Sequence, residues 1–369
     1  MRLLFTLSSF PPCKFGGIAS SMFSVIHGLN TSYEIKVITT DFKLPVESNT
    51  STNRWTEYEG INVKYIKART RLSFRFIFES FCQVLKADQV HLSGFFFSPS
   101  LVIVIMANLM GKTIVLSPHG ELQKAALSYK SWKKTPYLRF FRFFRRRIIF
   151  RVTSEAEAIQ IRHYFPDNKV FTISNFFVFE PPLFKLKKDQ FVFLGRISNI
   201  KRIENLILGC SISKFFISSN FSLVLAGPLD EEFFAYETML RELILSNNLD
   251  KNIRFAGEVI SPQKEEILSE SKAMFLVSDS ENFGNVVLES LAQGTPVVAS
   301  TGTPWMSLAV KNCGFWIDNS PESIATIIDE FILMNPKDYK IMSENAMTLS
   351  KDFSSETIVP KWISLINSL

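Results

Sequence analysis

Two glutamates eight residues apart, Glu281 and Glu289, flank a predicted helix start in the stretch Val277–Ser300, VSDSENFGNVVLESLAQGTPVVAS. Carboxylates accept hydrogen bonds from hydroxyl groups, and a helix start offers backbone N–H groups, here those of Gly284, Asn285 and Val286, to an anion. At about 1.5 Å rise per residue the two carboxylates stand roughly 12 Å apart on an unbroken helix, and closer across a turn. That spacing suits a nucleotide sugar, with Glu289 on the ribose hydroxyls, the helix end on the diphosphate and Glu281 on the hexose hydroxyls. Taken alone, the pair also reads as a helix cap and one solvated charge. The elements that must position it are a strand end at Phe275–Ser278, a polar turn, a helix from about Gly284 and a strand over Pro296–Ala299. Gly294 just past the helix, with proline after it, is an ordinary helix ending.

The whole string resembles the donor-site signature of the retaining glycosyltransferases of family 4. It has Glu, seven residues, Glu, with Phe283-Gly284 inside and Gly294-Thr295-Pro296-Val297-Val298 following. The resemblance implies a GT-B fold, an α/β architecture of two Rossmann-like domains facing a central cleft. It implies donor contacts at Glu281, Phe283, Gly284, Asn285, Val286 and Glu289.

Other loops carry further parts of the pattern. Arg196 and Lys201, five residues apart at the mouth of a predicted strand, can clamp a diphosphate with a planar fork and a mobile point charge. Without context they read as two surface charges; they also match the family's G-R-x4-K pattern, which implies that they stabilise the leaving diphosphate. Gly16-Gly17 follows the first strand, where bare backbone can approach a phosphate, and the family often carries such a pair there. The string Ser117-Pro118-His119-Gly120 resembles the loop whose histidine lies near the reacting carbon, so His119 is expected in the site. Backbone near Val259 is expected at the nucleobase, and Thr301–Trp305 (TGTPW) resembles a variant seen in bacterial polysaccharide transferases. One departure stands out: Asn175-Phe176 replaces the usual Asn-Gly, which puts a donor contact from that loop in doubt.

Strand and helix patterns alternate through both halves. Strands are expected at Arg2–Ser8, Glu34–Thr39, Gln89–Ser93, Lys112–Ser117, Phe150–Thr153 and Val170–Ile173, and again at Phe191–Leu194, Ser222–Ala226, Ile253–Ala256 and Gly314–Trp316. Ligands of such sheets sit at the carboxyl ends of the strands. The expected division is residues 1–180 as an acceptor-binding domain, 191–353 as a nucleotide-sugar domain, and 354–369 as an amphipathic helix returning to the first. Glu180–Gln190 (EPPLFKLKKDQ) reads as the linker. No G-x-G-x-x-G occurs, which disfavours a dinucleotide dehydrogenase.

At 369 residues the chain accommodates two domains, and 46% hydrophobic with 21% charged residues describes large cores rather than disorder. Its 36 phenylalanines are spread over both halves and read as compositional bias. Cys13, Cys82, Cys210 and Cys313 lie far apart with no C-x-x-C, which fits a reducing compartment and neither zinc nor a disulfide framework. Met1–Pro12 reads as a first strand broken by serines and prolines rather than a secretion signal. The longest apolar run, Leu101–Met110, is too short to span a bilayer.

The net charge of +6 is local. Lys133–Arg151 (KKTPYLRFFRFFRRRIIFR) holds eight basic residues and no acidic one, and removing it leaves 33 basic against 35 acidic. Arginines interleaved with Phe140, Phe141, Phe143 and Phe144 suit an anionic membrane surface, and equally a partly buried helix with a solvated basic face. No nucleic-acid motif accompanies it.

Together with these observations, the resemblance to family 4 implies a retaining, metal-independent glycosyltransferase that takes a UDP- or GDP-linked hexose and no other cofactor. Its acceptor would be a lipid-linked bacterial glycan, its place cytoplasmic and peripheral on the inner face of the plasma membrane, its metal sites none. Metal-dependent transferases use Asp-x-Asp at a strand end; Asp279-Ser280-Glu281 is a near miss. The alternatives are a non-catalytic GT-B-like nucleotide-sugar-binding protein, a nucleotide-sugar epimerase on the same fold, and a membrane or nucleic-acid binding module built on Lys133–Arg151.

Overall fold

The computed structural model describes residues 1–13, 16–42, 44–45, 48, 50–68, 73–128, 131–178 and 181–369, with 124 and 125 by backbone alone. Lys14 and Phe15, inside the predicted first loop, and Glu180, at the predicted linker's start, lie outside these residues. The chain forms two compact units, Met1–Val178 with Ser355–Leu369, and Phe179–Ser354.

The first unit contains strands β1 (Arg2–Thr6), β2 (Glu34–Thr40), β3 (Trp55–Tyr58), β4 (Ile61–Ile66), β5 (Gln89–Ser93), β6 (Thr113–Ser117), β7 (Ile148–Val152) and β8 (Val170–Thr172). They form one sheet in the order β3-β4-β2-β1-β5-β6-β7-β8, parallel except for the β3–β4 hairpin. Its helices are α1 (Gly17–Leu29), α2 (Phe74–Val84), α3 (Ser98–Leu109), α4 (Lys124–Ser128), α5 (Ser131–Phe141) and α6 (Glu155–Tyr164). The central strands are buried on both faces and therefore read as continuous apolar runs such as IVLS and QVHLS.

The basic stretch does not form one exposed segment. It is α5, a 3-10 turn over Arg142–Arg147, and then β7. Phe141, Ile148, Phe150 and Arg151 are all buried, which corrects the expectation that the whole of Lys133–Arg151 is surface available to a membrane. The reason lies in β7: a central strand leaves no side chain facing water. Arg151 is tolerated there because its guanidinium donates to the Ser174 carbonyl at 2.9 Å and to Asn175 Oδ1 at 3.0 Å.

The second unit holds β9 (Gln190–Leu194), β10 (Ser222–Ala226), β11 (Ile253–Gly257), β12 (Ala273–Leu276), β13 (Val297–Ser300) and β14 (Gly314–Ile317). All run parallel in the order β11-β10-β9-β12-β13-β14. Helices α7 (Ile203–Ile212), α8 (Phe234–Ser246), α9 (Gln263–Glu270), α10 (Asn285–Ala292), α11 (Ser307–Val310), α12 (Pro321–Leu333) and α13 (Pro336–Lys351) complete it. Two expectations shift here. The strand placed at Phe275–Ser278 ends at Leu276, and the linker stops at Asp189 because Gln190 already pairs in β9. The last helix, α14 (Ser355–Asn367), belongs to the first unit, where it buries Ile358, Trp362, Leu365 and Ile366. Among the described residues no helix is long and apolar enough to cross a membrane.

Candidate active site

In the second unit the predicted residues gather at the carboxyl ends of β9, β12 and β13, which are neighbours in the sheet. After β9 the chain passes through Gly195 and Arg196 into a 3-10 turn, Asn199–Lys201, and then into α7 through Arg202 in a left-handed conformation (φ 51°). After β12 it makes the polar turn that leads into α10. Backbone bonds stitch these loops together: the Asp279 N–H donates to the Ile200 carbonyl at 2.9 Å, and the Glu281 N–H to the Gly302 carbonyl at 3.0 Å. At Gly302 a Cβ would overlap the Asp279 carbonyl oxygen, so only glycine permits this approach. Gly284 starts α10 at φ 78°, where a Cβ would stand 2.9 Å from Leu276 Cδ2. No side chain caps that helix.

The ionisable groups pair across these loops. Lys201 Nζ contacts Glu281 Oε2, both side chains being less than a fifth exposed. An ammonium has three donors, so Glu281 occupies one and phosphate oxygens can take the others. Lys264 on α9 meets Glu289 Oε1 at 3.0 Å, while Glu289 Oε2 is buried with no protein partner. A buried carboxylate oxygen without a donor is an acceptor held ready for a hydroxyl. Arg196 lies 3.5 Å from Asp230 and is half-exposed. Asp279 takes Arg202 Nε at 2.6 Å and Asn319 Nδ2 at 2.9 Å, so it braces the turn. Among the described residues no group of three or more His, Cys, Asp or Glu is arranged to hold a metal ion.

Two predicted donor residues sit differently from the rest. The Phe283 ring is buried against Trp305 (5.2 Å between centroids), and the Trp305 indole N–H donates to the Phe283 carbonyl. Phe283 thus fastens the loop from within, and its ring is not presented to a ligand. Val259 is buried just beyond β11, the edge strand, two places from β9 in the sheet.

The first unit contributes its own cluster at the ends of β5, β6 and β7. His119 follows β6 at φ 53° and its Nε2 lies 2.7 Å from Ser93 Oγ. Desolvation, reinforced by the Arg151 charge, pushes its pKa down to about 3, so the imidazole is neutral at ordinary pH. The loop is held by Glu157, which accepts from the Gly120 N–H at 2.6 Å and the Thr153 N–H at 2.9 Å. Burial raises the pKa of Glu157 and of Glu121, whose carboxylate accepts from the Phe96 N–H. Gly16 begins α1 at φ 120° with open space where a Cβ would be, and Gly17 is the first residue of that helix. Asn175 is occupied by Arg151, and Phe176 is fully buried in the core.

Sequence reasoning did not find Lys264, Arg202, Asp230, Ser93 or Glu157. Each acts through a partner distant along the chain and has no local spacing to mark it.

Known proteins resemble this chain in two ways. Residues 175–348 match the family model described as glycosyl transferases group 1. The α-1,3/1,6-mannosyltransferase ALG2 of Yarrowia lipolytica is 27% identical over 205 residues, 46% of this chain and 44% of that protein. The lipopolysaccharide core biosynthesis glycosyltransferase LpsE of Rhizobium meliloti is 30% identical over 132 residues, 35% of this chain and 38% of that one. The chain spans less than two thirds of the length of the curated relatives it matches. Among solved structures, Anabaena HepE in complex with UDP-glucose superposes with a TM-score of 0.76 at 17% identity, covering 100% of both chains.

Proposed function

We infer that this GT-B protein, whose residues 175–348 match the glycosyl transferases group 1 family, transfers a hexose from a UDP- or GDP-sugar to a glycan acceptor. The observation that carries the reading is the set of paired cations and carboxylates around the start of α10, at the ends of three adjacent strands. In the proposed reaction the bond from the anomeric carbon to the diphosphate oxygen breaks as the acceptor oxygen bonds the same carbon. The acceptor proton leaves with the departing diphosphate oxygen on the same face, so configuration is retained without a covalent enzyme intermediate. Arg196, Lys201 and the N–H groups at Gly284, Asn285 and Val286 take up the charge that builds on the diphosphate, and no metal ion is required. Glu281 holds hexose hydroxyls, Glu289 the ribose, backbone near Val259 the base. Neutral His119, which can donate or accept but carries no charge, lies near the reacting carbon, and the Gly16-Gly17 backbone near the phosphate.

The acceptor is proposed to be lipid-linked, in bacterial cell-surface polysaccharide synthesis, at the inner face of the plasma membrane. The support is the exposed basic residues between Lys133 and Arg147, together with the named functions of the relatives.

The test is nucleotide release from a panel of UDP- and GDP-sugars with candidate lipid-linked acceptors, with and without a chelator, and the product's anomeric configuration read by NMR. Transfer with retention that persists in the chelator is expected. Loss of turnover on chelation would sink the metal-free step, an inverted product the retention, and tight donor binding without turnover would favour a binding protein. Epimerised donor in the absence of acceptor would favour the epimerase.

A further inference from the structure

Ser93 is the last residue of β5, a strand paired with β1 on one side and β6 on the other, and it is 4% exposed. Its neighbour holds it in place. The Gly94 N–H donates to the Ser117 carbonyl at 2.9 Å, and the Gly94 carbonyl accepts from Ser100 Oγ at 2.9 Å. From this fixed point the Ser93 hydroxyl meets His119 Nε2 at 2.7 Å, its one side-chain partner among the described residues. His119 is fixed from the other direction. It and Gly120 are both left-handed, at φ 53° and 79°, and Glu157 fastens the pair by accepting from the Gly120 N–H.

Counting protons decides which way the hydrogen bond between them runs. The Arg151 charge and burial keep the imidazole neutral, so it carries a single N–H: one ring nitrogen donates and the other accepts. A serine hydroxyl likewise has one proton to give. If Nε2 carried the ring proton and donated to Ser93, the serine proton would stay in the core with nothing to accept it. No carbonyl or carboxylate among the described residues takes it. A buried donor without an acceptor costs more than an ordinary hydrogen bond contributes. The reverse arrangement leaves no orphan. Ser93 donates to Nε2, and the ring proton sits on Nδ1, which has no partner among the described residues and is not sealed in the core.

We propose that Ser93 is a positioning residue whose hydroxyl holds His119 as the Nδ1–H tautomer, so that the imidazole offers a bound sugar one neutral N–H donor. The inference rests on the reading of His119 as lying near the reacting carbon and adds to it the direction of its hydrogen bonds. An N–H at that place recognises a sugar oxygen, whether hydroxyl or ring oxygen, without bringing charge to the site. The opposite tautomer would present a lone pair there and would suit only a group that itself donates.

Proton–nitrogen NMR on the full chain with isotope-labelled histidine tests this, since the chain has only four histidines. Loss of resonances in His119→Gln identifies those of His119. Wild type is expected to show a protonated Nδ1 and a bare Nε2, unchanged between about pH 5 and about pH 9. A protonated Nε2 would overturn the proposal. In Ser93→Ala the bare nitrogen loses its donor, and the ring is expected to move to the Nε2–H form or to a mixture of the two. An unchanged tautomer in that variant would also overturn the proposal, and if the variant does not fold the wild-type spectrum decides. With a sugar nucleotide and acceptor, kcat of Ser93→Ala is expected to fall about tenfold with the donor KM little changed, the equivalent of one hydrogen bond. Wild-type kcat alongside a switched tautomer would overturn the role given to the Nδ1–H. Wild type that shows the Nδ1–H tautomer but turns over no sugar nucleotide would instead sink the transferase reading and leave the assignment of Ser93 standing.

Discussion

Two lysines in the second unit hold two carboxylates, and their positions assign them different work. Lys201 contacts Glu281 beside the start of α10, where diphosphate charge is proposed to build. Lys264 holds Glu289, about one turn along that helix and away from the proposed reacting bond. A donor to charge that exists only in the transition state contributes to kcat, whereas a group that orients a uniformly bound ribose contributes to KM. Lys201→Met is therefore expected to lower kcat by about 10²–10³-fold, the loss typical of one preorganised donor. Lys264→Met is expected to raise the donor KM about fivefold, the equivalent of one hydrogen bond, with kcat unchanged. Steady-state kinetics with the preferred donor separates the two, and an equal fall of kcat in both variants would mean that Glu289 also reports on the chemical step. Three of the four side chains of this pair of pairs were legible. Glu281 and Lys201 stand in loops and Glu289 on α10 in a spaced pattern, but Lys264 lies on a helix whose sequence, QKEEILSE, reads as an ordinary charged surface.

At the level of elements, the strap between the units shows why sequence reading loses information once tertiary contacts decide. Glu180–Gln190 reads as a polar linker, yet residues 183–187 are fastened along the second unit. Lys185 meets Glu266 at 2.7 Å, the Leu183 N–H donates to Gln293, and Lys187 Nζ donates to Thr295 Oγ1 at 2.6 Å. Desolvation first, and the neighbouring Lys272 charge second, push the Lys187 ammonium down from 10.5 to about 7. Between those values the unfolded chain keeps a proton that the folded one has lost, so stability rises with pH across that window. Below the folded value the fold carries the full cost of the buried charge. Lys187→Met is thus expected to melt above wild type near pH 6, with the difference shrinking as pH rises above 7 and closing only near pH 10.5 in thermal scans. A constant difference across that range would show that Lys187 contributes by packing alone. The parallel strands, by contrast, were legible almost throughout, because burial on both faces makes each an apolar run with loop residues behind it. The hairpin of β3 and β4 and helix α2 were not, since β3 is half-exposed, β4 mixes Asn62 and Lys64 into its apolar residues, and α2 wears phenylalanine outward. Arg151 misled for a related reason: in sequence it closes a basic run, in space it is the buried partner of Asn175 and lies 5.0 Å from the Trp362 ring centroid.

At the scale of the molecule, the residues proposed to hold the donor fall mostly in one of the two units, and that division is testable. Phe179–Ser354 is one continuous segment with its own core, and it contains Arg196, Lys201, Glu281 and Glu289. The first unit is interrupted, and its core includes Ile358, Trp362, Leu365 and Ile366 from α14. That helix is fixed by more than apolar burial: Gln89 Nε2 donates to the Ile366 carbonyl at 2.8 Å, and the Tyr33 hydroxyl to Asn367 Oδ1 at 2.9 Å. Trp362 is 1% exposed, and truncating a buried tryptophan to alanine costs about 3–5 kcal/mol, a large part of a domain's stability. A fragment of residues 179–354 is accordingly expected to fold alone and bind UDP or GDP by calorimetry, although it lacks His119 and Gly16-Gly17. A fragment of residues 1–178 is expected to be loosely packed, with poor dispersion in its NMR spectrum, and to be restored by a peptide of residues 355–369. A cooperative, well-dispersed 1–178 fragment would show that α14 is only an accessory to that core. A folded 179–354 fragment without nucleotide affinity would remove the physical basis for placing the diphosphate at the start of α10.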